Sequence, residues 1–321
     1  MYLDFEKPLA EIDAKIAELM QMNDDARADL GPTIAELKRE LALEEERVYA
    51  SLTPWQRVQV ARQSGRPLIR DYVAGLCSEF LELHGDRAAR DDPGIIGGFA
   101  TIDRHRVMLI GHQKGRSVEE NIKTNFGMAN PDGYRKALRL MKLAEMYHRP
   151  VVSFIDTPGA YPGMEAEARG QAEAIGRNLA EMSVVETPIL VVVTGEGGSG
   201  GALGIGVGDV ILMLSNAVYS VISPEGCAAI LWRDESKAPE AADALKLTAA
   251  SLLDLGIIDE IIPEPSGGAH RAAAETVARV KEAVVRHLDS LVRVAPVKLV
   301  EKRYEKYARI GKKEGRRHAA H

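Results

Sequence analysis

The chain has 321 residues, the length of one large α/β domain with an appendage or of two domains. Hydrophobic residues make up 45% and charged residues 27%, which describes a globular chain and excludes a disordered, collagenous or membrane-embedded one. A net charge of −6 argues against nucleic acid as the main ligand, and aromatics at 5% are too few for a base-stacking module.

The N-terminus, Met-Tyr-Leu-Asp, carries no basic stretch followed by an apolar one, and no apolar run approaches the roughly 18 residues of a membrane span, so a cytoplasmic protein is expected. Residues 8–50 read as two amphipathic helices, one with Leu9, Ile12, Ile16 and Leu19 on a stripe, the other with Ile34, Leu37, Leu41 and Val48. Between them NDDARADLGP is loop chemistry. Thr53-Pro54-Trp55-Gln56 is a capping box with proline at the first helical position and opens a third helix. Gly65-Arg66-Pro67 then marks a boundary, so residues 1–65 read as a helical docking extension with no chemistry of its own.

From residue 66 to 295 the pattern is that of an α/β domain. A helix is expected near 69–83, then a hairpin of IIGGFATI (95–102) and RVMLIG (106–111) around Asp103. Apolar strands at 151–156 and 189–194, with helical patterns at 131–148 and 165–182, give βαβ logic and a mostly parallel sheet. Shorter strand candidates at 210–214, 219–223 and 257–262 precede a helix over about 270–292. Residues 296–321 read as a basic, solvated tail. Cys77 and Cys227 have neither disulfide nor zinc spacing and read as structural thiols.

The glycines cluster. GEGGSGGALGIGVG at 195–208 holds eight in fourteen positions, directly after a strand. Without Cβ atoms, peptide N–H groups reach a developing negative charge, and a helix start adds partial positive charge. The plain alternative is a tight turn packed against a neighbour. Three chemical readings share these letters: a dinucleotide turn on Gly195, Gly197 and Gly200 with Glu225 as its acid; a nucleophile elbow on Ser199 with Asp254 or Asp259 and His270; and an oxyanion site of bare amides. Two further turns, HQKG at 112–115 and DTPGAYPG at 156–163, share the same sheet edge if their strands are parallel neighbours, bringing His112, Lys114, Asp156 and Tyr161 to one crevice.

Several blocks carry a family likeness: IGHQKGR at 110–116, NFGMANPDGYRKALRLM at 125–141, FIDTPGAYPG at 154–163, GEGGSGGALGIGVGD at 195–209, YSVISPEGCAAILW at 219–232 and IIPEPSGGAHR at 261–271. The chain resembles the carboxyltransferase α subunits of bacterial acetyl-CoA carboxylase over most of its length. The resemblance implies a ClpP/crotonase-like fold of repeated ββα units and an α2β2 heterotetramer with a zinc-bearing β subunit. It also implies acetyl-CoA as acceptor, malonyl-CoA for fatty acid biosynthesis as product, and biotin as cofactor, present as carboxybiotin on a separate biotin carboxyl carrier protein loaded by biotin carboxylase. No metal is expected in this chain. The likeness puts the biotin-side oxyanion hole at the Gly200 and Gly201 amides. Gly197, Gly198, Gly159, Tyr161 and Lys114 are the accompanying candidates for substrate binding.

Leu140-Met141-Lys142-Leu143 has the Met-Lys pair of a biotinylation site but sits in a helical pattern, so Lys142 reads as an exposed helix lysine. No P-loop occurs. Two other classes stay open at this level: a Ser199-dependent hydrolase and a crotonase-like scaffold without catalysis.

Overall fold

The computed structural model describes residues 2–25 and 30–312 and is organised around one eight-stranded sheet. Its strands are β1 (Cys77–Glu82), β2 (Ile95–Ile102), β3 (His105–His112), β4 (Val151–Thr157), β5 (Ile189–Gly198), β6 (Val210–Leu214), β7 (Val218–Ser220) and β8 (Glu260–Ile262). They lie in the order β1-β2-β3-β4-β5-β6-β8, with β7 paired to β5. The β1-β2-β3 end is antiparallel and every pairing from β3 onward is parallel. Val151–Ile155 and Ile189–Val193 are buried throughout, because helices cover both faces of the sheet centre; the one polar side chain among them, Ser153, donates to Ile205 O at 2.7 Å.

The hairpin turns at Asp103, whose φ of +51° closes the two-residue connection. Elsewhere the elements differ from expectation for local reasons. The expected helix at 69–83 stops at Leu76, and Cys77–Glu82 becomes edge strand β1, its side chains alternating in exposure against β2. The expected helix at 165–182 is two helices, Met164–Ala168 and Gln171–Val184, divided at Gly170, whose φ of +83° cannot continue a helix. The candidate at 219–223 shortens to β7 because the Ser223 hydroxyl caps helix Pro224–Trp232, accepting from Gly226 N–H. Likewise 257–262 shortens to β8, since the Ile257 amide closes onto Leu252 O at the end of helix Ala249–Asp254.

Helices Lys7–Asp25 and Gly31–Ala50 pack on each other, with Leu9 and Ile16 buried. Their base is tied down by buried Glu6, which accepts from Tyr49 Oη at 2.7 Å and from Arg271 Nη2 at 3.0 Å. Helix Pro54–Ala61 starts on the expected capping box yet packs within the main domain, Val58 and Ala61 lying with Val218, Ala242 and Leu247. Arg66, at the expected boundary, is buried: it makes two hydrogen bonds to Glu264 at 2.8 and 2.9 Å and one to Thr194 O at 2.8 Å, on β5.

The segment expected to be a frayed tail begins with helix Pro296–Arg309, docked on the domain through Arg303. Its guanidinium donates to Asp209 Oδ1 and Oδ2 at 3.0 and 2.8 Å and to the carbonyls of Met182, Val185 and Thr187 at 2.6–3.0 Å. The rest of the tail, 313–321, lies outside the described residues, as do 26–29 of the expected linker. Cys227 is buried and Cys77 half-buried. Lys142 sits on helix Pro131–Met146 and pairs with Glu145 and Glu181. Among the described residues no helix is long and apolar enough to cross a membrane.

Two imidazoles are kept neutral by burial, His112 with a pKa of about 3 and His270 with one of about 4. Below about pH 6.5 the unfolded chain takes up protons that the folded chain refuses, so stability should be level above that pH and fall as pH drops. Thermal melts from pH 7.5 to 5 check this, and His112→Phe should flatten the slope; a melting temperature constant over that range would contradict it.

Candidate active site

Because β3, β4 and β5 are parallel neighbours, their following loops leave the sheet at one edge, as the crevice reading required. β5 changes partners as it approaches that edge. Its Leu190–Val193 stretch pairs with β6, whereas Glu196, Gly197 and Gly198 pair with Val218, Tyr219 and Ser220 of β7. Helix Ser199–Leu203 follows without a break, so the first amides of that turn have no upstream helical acceptor.

Two of the glycines are required by loop-on-loop packing. A Cβ on Gly198 would lie 2.0 Å from Pro158 O, and one on Gly201 would lie 2.4 Å from Gly159 C and 2.5 Å from Ala160 N. Gly159 therefore belongs to the same contact. Gly200 differs: a Cβ there would meet only the Ile175 side chain, at an ordinary 3.5 and 3.7 Å, and the residue is half-exposed while Gly201 is buried. The plain packing reading thus accounts for Gly198 and Gly201, and the same packing holds the Gly200–Gly201 step rigid.

Gly197 and Gly198 line a shallow groove of about 30 Å³ with Arg62, Pro158, Glu196 and Pro224. Lys114 faces a separate cavity of about 530 Å³ with Arg70, Gln113, Arg116 and Lys123. It reaches the glycine strand through charge: its Nζ is 2.6 Å from Asp156 Oδ1 and 3.4 Å from Glu196 Oε2. Asp156 Oδ1 also accepts from Glu196 N at 3.0 Å. Burial disfavours the ammonium, but the Asp156 and Glu196 carboxylates outweigh it and hold Lys114 protonated above its ordinary value. Tyr161 lies apart from both, in a polar cavity of about 250 Å³ with Asn130, Asp132 and Arg169, and Gln171 pins its carbonyl at 2.9 Å. His112 sits under the loop, 2% exposed, against the backbone of Gly201 and Phe154, with neither ring nitrogen in a well-formed hydrogen bond.

The rival readings lose their partners. Ser199 has φ of +48°, the strained backbone of an elbow, but His270 is half-buried, its ring nitrogens enclosed, in the turn beside Gly65 and Gly268, and Asp259 is committed to Ile211 N and Lys306. No triad assembles. Glu225, the acid required by a dinucleotide turn, is paired with Arg62 at 2.5 Å. Among the described residues no three His, Cys, Asp or Glu side chains converge as metal ligands. The residues that sequence reasoning missed are Arg62 and Glu196; the signal for Glu196 was a lone carboxylate interrupting a run of glycines.

Comparison with known proteins decides the family. A family model described as acetyl co-enzyme A carboxylase carboxyltransferase-like matches residues 2–311. The chain belongs to the acetyl-CoA carboxylase carboxyltransferase family. It is 53% identical over 309 residues to a protein of Halalkalibacterium halodurans named acetyl-coenzyme A carboxylase carboxyl transferase subunit alpha, covering 96% of this chain and 95% of that one. A protein of the same name from Geobacter metallireducens is 52% identical over 310 residues, 97% of each chain. Among solved structures, a Pseudomonas malonate decarboxylase heterodimer aligns with a TM-score of 0.59 at 15% identity, over 77% of this chain and 96% of that one. Transcarboxylase 12S aligns with a TM-score of 0.54 at 21% identity, over 69% of this chain, which spans only 43% of that longer one. These likenesses bear out the crotonase-like α/β fold, and the family makes the chain a carboxyltransferase subunit of the α type, not a serine hydrolase.

Proposed function

We propose that this subunit carries the carboxybiotin side of a carboxyltransferase whose acetyl-CoA side lies on a zinc-bearing β subunit in a cytoplasmic α2β2 assembly. The donor is biotin on a biotin carboxyl carrier protein, charged by biotin carboxylase, and the product is malonyl-CoA. The helical hairpin of Lys7–Asp25 and Gly31–Ala50 serves as the docking extension; its second helix buries no residue and leaves Leu43 exposed.

The observation that carries this reading is the Gly200–Gly201 step. It presents backbone donors at the start of a helix, held rigid by the Pro158–Ala160 turn, and the carboxylates beside the loop, Asp156 and Glu196, are held in ion pairs with Lys114 and Arg62. That donor set fits a ureido oxygen, a pure acceptor. When bound, carboxybiotin would supply the carboxyl group. The Gly200 and Gly201 amides would donate to its ureido oxygen where negative charge develops, and because they are fixed beforehand, little reorganisation would oppose them. The helix start adds partial positive charge. Gly197 and Gly198 let the ligand approach bare backbone, and Gly159 supports the Gly201 peptide. Lys114 keeps Asp156 and Glu196 neutralised beside the loop, while Tyr161, in its own cavity, takes no part in this groove. A groove of about 30 Å³ is too small for a bicyclic ring, which supports a site completed by a second subunit.

The test is malonyl-CoA-dependent carboxylation of a free biotin analogue by the purified chain mixed with its β partner. Either subunit alone should be nearly inactive. Ser199→Ala should cost less than about tenfold in rate, since the hydroxyl takes no part, whereas a nucleophile would cost orders of magnitude. Such a large loss, or an inactive verified complex, would overturn the reading.

A further inference from the structure

Five charged side chains of alternating sign run along the mouth of the glycine loop. Asp156 pairs with Lys114 at 2.6 Å, Lys114 with Glu196 at 3.4 Å, Glu196 with Arg62 at 2.7 Å and Arg62 with Glu225 at 2.5 Å. They come from five separate segments. Arg62 caps the end of helix Pro54–Ala61, Lys114 and Asp156 lie at the ends of β3 and β4, Glu196 is inside the glycine run, and Glu225 is in the first turn of helix Pro224–Trp232. Arg62 is the only member that spans the groove. Its Nε binds the wall formed by the glycine strand, and its Nη1 and Nη2 bind the opposite wall through both Glu225 oxygens. Glu225 stands in the first turn of that helix, next to the Ser223 cap that accepts from Gly226 N.

We infer that Arg62 is a positioning residue for carboxyl transfer, fixing the glycine strand and its amides at a set distance from helix Pro224–Trp232. This rests on the function proposed above. Three points separate it from an ordinary surface ion pair. The guanidinium uses a fork of donors on two carboxylates, which fixes direction as well as distance. The side chain is one-third exposed and lines the groove together with Gly197 and Gly198, so its geometry is that of the groove. Glu196, the carboxylate it holds, is three residues before Ser199 and shares its backbone with the strand that delivers the amides. A shift of about 1 Å in such a donor can cost about 10²-fold in rate. The helix that carries Arg62 was expected to belong to a docking extension without chemistry.

The experiment uses the complete α and β complex and the biotin-analogue assay. Arg62→Gln should lower kcat by 10- to 100-fold, on the order expected for misplaced donors, with the KM for malonyl-CoA and the assembly of the complex unchanged. Arg62→Lys, which keeps the charge but loses the fork, should recover only part of the rate. Glu225→Gln should reproduce the loss, and the double variant should be no slower than Arg62→Gln, because the two residues act as one unit. Wild-type kcat in an assembled Arg62→Gln complex overturns the inference, as does a double variant whose losses multiply. If Arg62→Gln fails to assemble, Glu225→Gln decides alone, and wild-type kcat in its assembled complex overturns the inference. An inactive wild-type complex would instead overturn the carboxyl-transfer reading itself.

Discussion

Gly201→Ala is expected to lower carboxyl transfer by about 10²- to 10³-fold, the cost of losing one preorganised donor to a developing negative charge. The added methyl would stand 2.4–2.8 Å from the Gly159 and Ala160 backbone, where no flexible side chain can yield. One of the two loops must therefore move, and the amides at 200–201 move with it. Gly200→Ala is the matched control. Its methyl meets only the Ile175 side chain, at 3.5 and 3.7 Å, so the backbone stays and the amides keep their direction. The assay is the biotin-analogue reaction on complexes verified by size-exclusion chromatography. Equal rates for Gly201→Ala and wild type would show that these amides do not serve the reaction. A fall for Gly200→Ala as deep as for Gly201→Ala would show that the groove needs the missing Cβ at position 200 for ligand clearance as well.

Arg303→Met should destabilise the chain by about 3–5 kcal/mol, the usual cost of removing one partner of a buried ion pair. Arg303 is 1% exposed and all of its donor nitrogens are engaged, by Asp209 and by three carbonyls of the segment 182–187. Methionine fills part of the volume but leaves those acceptors without donors. Asp209 also accepts from Ile189 N at 2.7 Å, so the carboxylate left without its guanidinium is held only by backbone donors at the start of β5. For a chain of this size the melting temperature should fall by roughly 10 °C. A change under about 2 °C would mean that water or a shifted side chain satisfies the site.

The central sheet was legible in the sequence because β5 opens on the apolar run ILVVV and β4 on VVSFI with a single serine, the pattern of strands covered on both faces. β1 was not: CSEFLE is an edge strand with one neighbour, and its half-exposed side chains continue the polar-apolar rhythm of the helix before it. The glycine loop was legible because eight glycines in fourteen positions leave few structural explanations. Its geometry was not, since the choice among nucleophile elbow, dinucleotide turn and bare amides depends on where His270 and Glu225 lie in space. The split of the expected crevice into three recesses escaped for the same reason: Lys114 and Tyr161 are near the loop in sequence logic, but each faces its own cavity. Arg62 had no local signature at all, because its partners stand 134 and 163 positions away.

Those separations bear on how the protein comes into being. A ribosome releases the chain from its N-terminus, so helix Pro54–Ala61 is complete long before Glu225, 163 residues on, exists to hold Arg62. Asp209 in turn waits 94 residues for Arg303. Until nearly the whole polypeptide has emerged, several of these charges have no partner and the glycine strand has no fixed place. A chain that ends before helix Pro296–Arg309 thus lacks the donor that holds Asp209, and the full set of these pairings arrives only with that helix.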